Sequence, residues 1–114
     1  MSNAQTRTDI AAALSSVAGI NGHRVKPSSL NEGDAWPQWR GAVPHAHAVE
    51  NTWAVLIVTP QDSDITADGF ADAVLAGLLD ALRDVIYVDG IAPATIAAGE
   101  QGDLYALMIT GRSE

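Results

Sequence analysis

Residues 53–58 read Trp-Ala-Val-Leu-Ile-Val and are apolar at every position. Successive side chains of a strand point to opposite faces, so this stretch presents an apolar surface on both sides. Such a run is typical of a central strand whose two faces are both covered. Pro60 ends the stretch. The sequence therefore predicts a central strand here, around which the rest of the chain is arranged.

Two segments with helical periodicity flank this strand. Residues 67–84 carry a wide apolar stripe, made of Phe70, Val74, Leu75, Leu78, Leu79 and Leu82. Residues 3–18 place Ile10, Ala13, Leu14 and Val17 on one helical face. Ser2 with Gln5, or Thr6 with Asp9, matches a capping box at the start of this first helix. Both segments are predicted to be amphipathic helices.

The remaining apolar stretches are short and predict strands. They are His23–Lys26, Ala35–Arg40, Val85–Val88, Ile91–Ile96 and Leu104–Thr110. Pro37 favours a sheet edge for the second of these, and Asp89-Gly90 marks a bend between the third and the fourth. The last two are expected to form a hairpin. Residues 27–50 are the least regular part, and a tail is expected from Gly111 onward.

The order of these elements predicts the fold class. Only the helix at 67–84 forms a long connection between sequential strands, which favours antiparallel neighbours. We expect an α+β fold with a mostly antiparallel sheet of four to five strands and two helices packed on one face. The length of 114 residues suits a single domain over residues 1–114.

Composition limits the classes of function. The chain has 14 acidic and 6 basic residues and a net charge of −8. Because nucleic-acid affinity comes mainly from Lys and Arg on phosphates, direct gripping of DNA or RNA is disfavoured, as is an anionic membrane. An acidic wall past which DNA slides is compatible with this charge. The chain has no cysteine, which excludes disulfides and thiolate chemistry.

Candidate chemical motifs fail on spacing or ligand number. His45 and His47 have a metal-compatible spacing, with His23 or Glu50 as further ligands, but zinc sites use three or four ligands. The alternative, two solvated loop histidines, is favoured. Asp62-Ser63-Asp64 begins like a calcium loop, yet Ala67 and Ala73 occupy the positions that need Gly and Glu.

Paired carboxylates are the remaining catalytic candidate. Asp80 and Asp84 are neighbours on one helix, and a solvated face is their favoured interpretation. We therefore expect no catalytic residue, no metal site and no cofactor, and a chain that is not an enzyme. The alternative from a different class of function is a small metal-dependent enzyme that uses His45 and His47.

Three tryptophans stand out. Trp53 opens the central strand and is expected in the core. Trp36 and Trp39 flank Pro37-Gln38 and are followed by Arg40, and Trp and Arg are enriched at interface hot spots. Two interpretations stay open for this group: an exposed interface patch, or a small satellite core under a loop.

The succession of segments resembles one known family along nearly the whole chain. The segments are TRTDIAAALSSVAGI (6–20), HRVKP (23–27), GDAWPQWRG (33–41), TWAVLIVTP (52–60), DITADGFADAVLAGLLDALRD (64–84), VIYVDGIAPA (85–94) and GDLYALMITGR (102–112). In this order they resemble the small tail terminator, or head–tail joining, proteins of actinobacterial siphophages.

The resemblance implies a structural role. Such proteins form a ring, typically of six subunits, at the head-proximal end of the tail tube. The ring ends tube polymerisation and joins the tail to head-completion proteins, while DNA passes through the lumen without specific binding. The implied partners are further copies of the chain, the tail tube protein and a head-completion or stopper protein, with no membrane. The implied location is the virion tail, after assembly in the host cytoplasm.

Two residue groups are assigned within this picture. Residues 34–41, with Trp36, Trp39 and Arg40, are expected to supply a contact patch between subunits. Asp62, Asp64, Asp68 and Asp72 are expected to line the lumen or a ring face. A head-completion or stopper ring of the same connector is the nearest alternative, and a free adaptor domain is another.

Overall fold

A computed structural model describes residues 2–114 as two helices and a five-stranded sheet. The elements are α1 (Asn3–Ser15), β1 (Asn21–Gly22), β2 (Asp34–Pro44), β3 (Val49–Val58), α2 (Asp64–Leu82), β4 (Tyr87–Ala97) and β5 (Asp103–Ser113), with a 3-10 turn at Gly99–Gln101. The strand order is β1-β2-β3-β5-β4, and every neighbouring pair is antiparallel except β1 with β2. The predicted α+β fold with a mostly antiparallel sheet is confirmed.

Both helices pack on one face of the sheet. Ile10 and Leu14 of α1 and Val74, Leu78 and Leu82 of α2 share one buried cluster with Trp53, Val55 and Ile57 of β3. Ser2 begins α1 by accepting a hydrogen bond at Oγ from the Gln5 N–H (3.1 Å), and Ser63 begins α2 through the Thr66 N–H (3.2 Å). These caps satisfy amide groups that a helix start leaves free. Each helix therefore begins at a serine whose hydroxyl oxygen accepts a hydrogen bond from an N–H group of the first turn.

The opposite face of β3 carries a second buried cluster. Leu56 and Val58 lie there with Trp36, Ile96 and Ala106, and Leu30 covers them from the loop between β1 and β2. Both faces of residues 53–58 are thus buried, as the central-strand prediction requires. No helix among the described residues is long and apolar enough to cross a membrane.

The loop at residues 23–33 is fastened across this helix-free face. The Lys26 Nζ donates to the Ala97 carbonyl (2.8 Å), and the Gly33 N–H donates to the Val58 carbonyl (2.9 Å). Gln101 holds the middle of the loop through the backbone of Leu30. Because backbone carbonyls of β3 and β4 and the Gln101 side chain hold it, the loop is an integral layer of the fold.

Several predicted boundaries are corrected by the sheet pairing. The segment His23–Lys26 is not a strand: the strand is Asn21–Gly22, which pairs with Asp34 and Ala35. Residues 34–50, most of the stretch 27–50 predicted to be least regular, belong to a long β2–β3 hairpin. Its tip, residues 43–50, pairs only within itself in the described chain. Gly111 to Ser113 continue β5 beside β3, so the predicted tail is wrong.

The other boundary changes are small. The helices end earlier than expected, at Ser15 and Leu82, and α2 begins three residues earlier, at Asp64. Val85 and Ile86 lie in a turn, and β4 runs as one strand whose register shifts between Val88 and Gly90, at the predicted bend. β1 covers only Asp34 and Ala35, so Pro37 does lie on an edge of the sheet.

Candidate functional site

Arg7 of α1 ties the helix to the edge of β2. Its Nη1 donates to the carbonyl of Arg24 (2.7 Å) and to that of Pro37 (2.9 Å). Its guanidinium carbon lies 5.5 Å from the ring centroid of Trp53. Pro37 has no N–H to offer an edge partner, and its carbonyl is satisfied by this arginine. Arg7 therefore holds α1 against β2, and its guanidinium group also places a positive charge near the surface.

Three further basic residues lie near β2. Arg24 and Lys26 are exposed on the segment that follows β1, and Arg40 is exposed on β2. Lys26 donates to a backbone carbonyl, and Arg40 lies with its Nη2 3.6 Å from the Met108 sulfur. Within residues 2–114 none of Arg7, Arg24, Lys26 and Arg40 forms an ion pair. Arg7 and Arg24 lie on the helix side of β2, and Lys26 and Arg40 lie on its helix-free face. We call these four residues, which surround β2, the basic side.

A groove on the basic side exposes apolar surface. It runs between the first half of α1 and β2, and it is lined by Arg7, Arg24, Val25, Trp39 and Trp53 among others. Val25 is 64 % exposed and Trp39 is 46 % exposed. The Trp39 indole N–H donates to Asn51 Oδ1 (3.1 Å), which fixes the ring at the surface. The groove combines unpaired cations with exposed apolar side chains, a composition typical of interfaces.

The predicted Trp/Arg patch is only partly present. Trp36 is 3 % exposed and packs under Leu30 on the helix-free face, so the prediction that it lies in an exposed patch is wrong. Trp39 lies on the helix side, because an odd separation along a strand reverses the side-chain direction. Trp36 fits the satellite-core interpretation, whereas Trp39 and Arg40 are exposed. Their role at an interface stays a prediction.

The four predicted face-lining acids are all exposed. Asp62 precedes α2, and Asp64, Asp68 and Asp72 follow one another at four-residue spacing along the helix. No ion pair within residues 2–114 involves any of them. We call these four residues the acidic side. Whether they face a lumen stays a prediction.

Asp64 and Asp68 border a cleft between α2 and the β4–β5 hairpin. The cleft measures about 340 Å³, and its lining includes Ala67, Ala71, Pro93 and Leu107 together with the hydroxyl-bearing Thr59 and Ser63. Tyr105, at its margin, is 62 % exposed. We call this feature the α2 cleft. Its lining combines small and apolar side chains with two carboxylates that form no ion pair within residues 2–114.

The histidines do not assemble into a ligand set. His45 and His47 lie in the turn of the β2–β3 hairpin, where His45 Nε2 is 4.0 Å from Glu50 Oε1. His23 lies apart from them and bonds Asp34 (3.0 Å). Among residues 2–114 no group of three or more His, Cys, Asp or Glu side chains is arranged to hold a metal ion. Of the residues named for the metal-dependent alternative, His45 and Glu50 lie close together and bring one imidazole and one carboxylate to the same place.

Arg112 organises a cluster that the sequence prediction missed. Its Nε bonds both carboxylate oxygens of Asp89 (3.0 and 2.9 Å), its Nη1 lies 3.4 Å from Glu50 Oε2, and its guanidinium carbon lies 4.6 Å from the Tyr87 ring centroid. The hydrogen bond to Asp89 raises the pKa of Arg112; desolvation opposes this shift, and the charges of Asp89 and Glu50 add to it. The cluster ties β3, β4 and β5 together. The placement of residues 111–114 in a tail concealed it.

No family model, curated protein or solved structure matches the chain.

Proposed function

We propose that the chain is a structural subunit that assembles head-to-tail into a closed ring and acts as a tail terminator at the head-proximal end of a phage tail tube. The observation that carries the proposal is the separation of unpaired charge. Cations surround β2, and unpaired acids lie on α2 and at its cleft.

Charge separation of this kind suits a heterologous interface. In a ring one patch of each subunit meets a different patch of the next, so the two patches must be complementary rather than identical. A basic surface on one copy and an acidic surface on its neighbour meet that requirement. Two like surfaces brought together in a twofold dimer would repel.

The excess of negative charge supports the passage of DNA. The chain carries a net charge of −8, so a ring of copies keeps an excess of negative charge even where the basic side of one copy meets the acidic side of the next. An acidic wall repels phosphate and prevents DNA from sticking. A structure of the assembly that places Asp62, Asp64, Asp68 and Asp72 all on the outer wall would contradict this part of the proposal.

Imaging and mass measurement of the purified protein test the ring. We expect closed rings by electron microscopy and one discrete oligomer mass, typically six subunits as the resemblance implies. We also expect the protein to cap isolated tail tubes that lack heads. A protein that stays monomeric and does not bind tubes contradicts the proposal. Binding to filled, tailless heads instead of tubes identifies the stopper role.

A further inference from the structure

We propose that the α2 cleft of one copy receives the exposed segment Arg24-Val25-Lys26 of a second copy. This inference rests on the proposed head-to-tail assembly and assigns its two contact surfaces. Each copy then contributes one donor segment, beside β2, and one acceptor cleft, between α2 and the β4–β5 hairpin.

The donor segment has an apolar centre between two cations. Val25 is 64 % exposed, although a folded chain gains from burying a valine by roughly 1.5–3 kcal/mol. Arg24 and Lys26 flank it and are exposed. The segment thus offers one apolar knob between two positive charges.

The backbone of the donor segment is held in place within its own chain. The His23 N–H donates to the Ala35 carbonyl (2.8 Å), and the Arg24 carbonyl accepts from Arg7 (2.7 Å). The Lys26 side chain adds a further anchor, because its Nζ donates to the Ala97 carbonyl (2.8 Å). A segment ordered before binding loses little conformational entropy on association. Val25 therefore projects from a fixed support.

The acceptor cleft has the complementary arrangement. Ala67, Ala71, Pro93 and Leu107 line it with small or apolar groups, and a volume of about 340 Å³ is large enough for a branched aliphatic side chain. Asp64 and Asp68 stand at its border. An apolar centre surrounded by charged pairs is the usual anatomy of a specific interface. In the docked arrangement Val25 fills the cleft and Arg24 meets Asp68.

The charges on the two surfaces favour a second copy of the chain as the occupant of the cleft. The cleft needs a cationic, apolar ligand, and the same chain exposes one whose two cations have no carboxylate partner within residues 2–114. Because donor segment and acceptor cleft are different surfaces, two copies in contact still have one free cleft and one free donor segment for further copies. Repetition of the contact gives a ring when the rotation closes.

A charge-exchange experiment on the full chain tests the contact. Arg24→Glu and Asp68→Arg are made singly and together, and self-association is followed by sedimentation and native mass spectrometry. Each single change places like charges opposite each other, so we expect the dissociation constant to rise about tenfold or more. The double variant restores an opposite pair and is expected to return to within about threefold of the parent.

Matched controls use charges outside both surfaces. Arg83→Glu and Asp84→Arg change exposed residues at the far end of α2 and are expected to leave association unchanged. Val25→Ser tests the apolar knob without a charge change, and we expect it to weaken association severalfold. Thermal unfolding of each variant shows that the fold is retained.

The possible outcomes distinguish failure of the cleft contact from failure of the ring proposal. If the parent forms rings and Arg24→Glu and Asp68→Arg leave them intact, the cleft contact is wrong and the ring proposal stands. If the singles disrupt association and the double does not restore it, the Arg24–Asp68 pairing is wrong. A parent that stays monomeric at high concentration overturns both proposals. In that case, loss of tube binding in Asp68→Arg alone would identify a basic segment of another protein as the occupant.

Discussion

Gln101 pairs with the backbone of Leu30 through both ends of its amide: Nε2 donates to the Leu30 carbonyl at 2.9 Å, and Oε1 accepts from the Leu30 N–H at 3.0 Å. Gln61 holds Tyr105 in the same way, at 2.9 and 2.8 Å. In both places a side-chain amide supplies the two bonds that a neighbouring strand would make. These clamps fasten a loop and the start of β5, where its pairing with β3 has ended, without adding residues to the sheet.

Gln101→Ala is expected to lower the free energy of unfolding by about 1–2 kcal/mol, because two hydrogen bonds to a buried backbone are lost. Urea denaturation measures the change. Glu100→Ala is the matched control, since that exposed neighbour has no side-chain hydrogen bond in the described chain, and its effect is expected within about 0.5 kcal/mol. Equal stability of the two variants would contradict the clamp.

Ser113→Ala tests whether the last residues of β5 belong to the fold. Trp53 is fully buried, and its indole N–H donates to Ser113 Oγ at 2.8 Å. Removal of the hydroxyl leaves a buried donor without its partner, so we expect a loss of about 1–3 kcal/mol in denaturation. Ser29→Ala, on the exposed loop, serves as the control and is expected to have little effect. A negligible loss in Ser113→Ala would support a frayed end.

Two glycines are expected to respond in opposite directions. A Cβ at Gly22 would meet the Ala11 carbonyl oxygen and Ser15 Oγ where α1 crosses β1, so Gly22→Ala should destabilise by about 1–3 kcal/mol. At Gly69, in α2, no atom lies within 4 Å of the added Cβ, so Gly69→Ala should stabilise by about 0.5–1 kcal/mol. Chemical denaturation of both variants gives the signs. A shared sign would refute this account of the α1–β1 contact.

The main elements were predictable because their signals are local. The apolar run at 53–58 and the stripe on α2 each bury a surface that is visible within one segment. β1 has only two residues, and its pairing with Asp34 and Ala35 depends on contacts far along the chain. The β2–β3 hairpin was hidden because its tip beyond Asn51 has no core to face and so shows no alternation.

The candidate surfaces were only partly predictable. Asp68 and Asp72 lie on a helix that sequence periodicity predicts, whereas Asp62 and Asp64 were predicted in the polar loop before it, and the structure extends α2 back to Asp64. The donor segment was missed because its residues resemble a strand, and only the fold shows Val25 exposed. The patch at 34–41 was predicted as one group, although a strand places Trp36 and Trp39 on opposite faces.

Because Trp36 and Trp39 lie on opposite faces of β2, the predicted patch at 34–41 has to be tested at its exposed residues. Trp36→Ala would remove a buried ring and cost about 3–5 kcal/mol, so lost assembly in that variant would reflect unfolding. Trp39→Ala and Arg40→Ala change exposed side chains. We expect each to keep the fold, with a stability change of about 1 kcal/mol or less, and to weaken self-association about fivefold or more.

Tyr87→Ala, which changes an exposed aromatic residue on β4, is the control for these two variants and should leave assembly intact. Denaturation gives stability, and sedimentation gives assembly. Normal rings in both Trp39→Ala and Arg40→Ala would remove residues 34–41 from the interface, and the contact at the α2 cleft would then have to hold the ring without them.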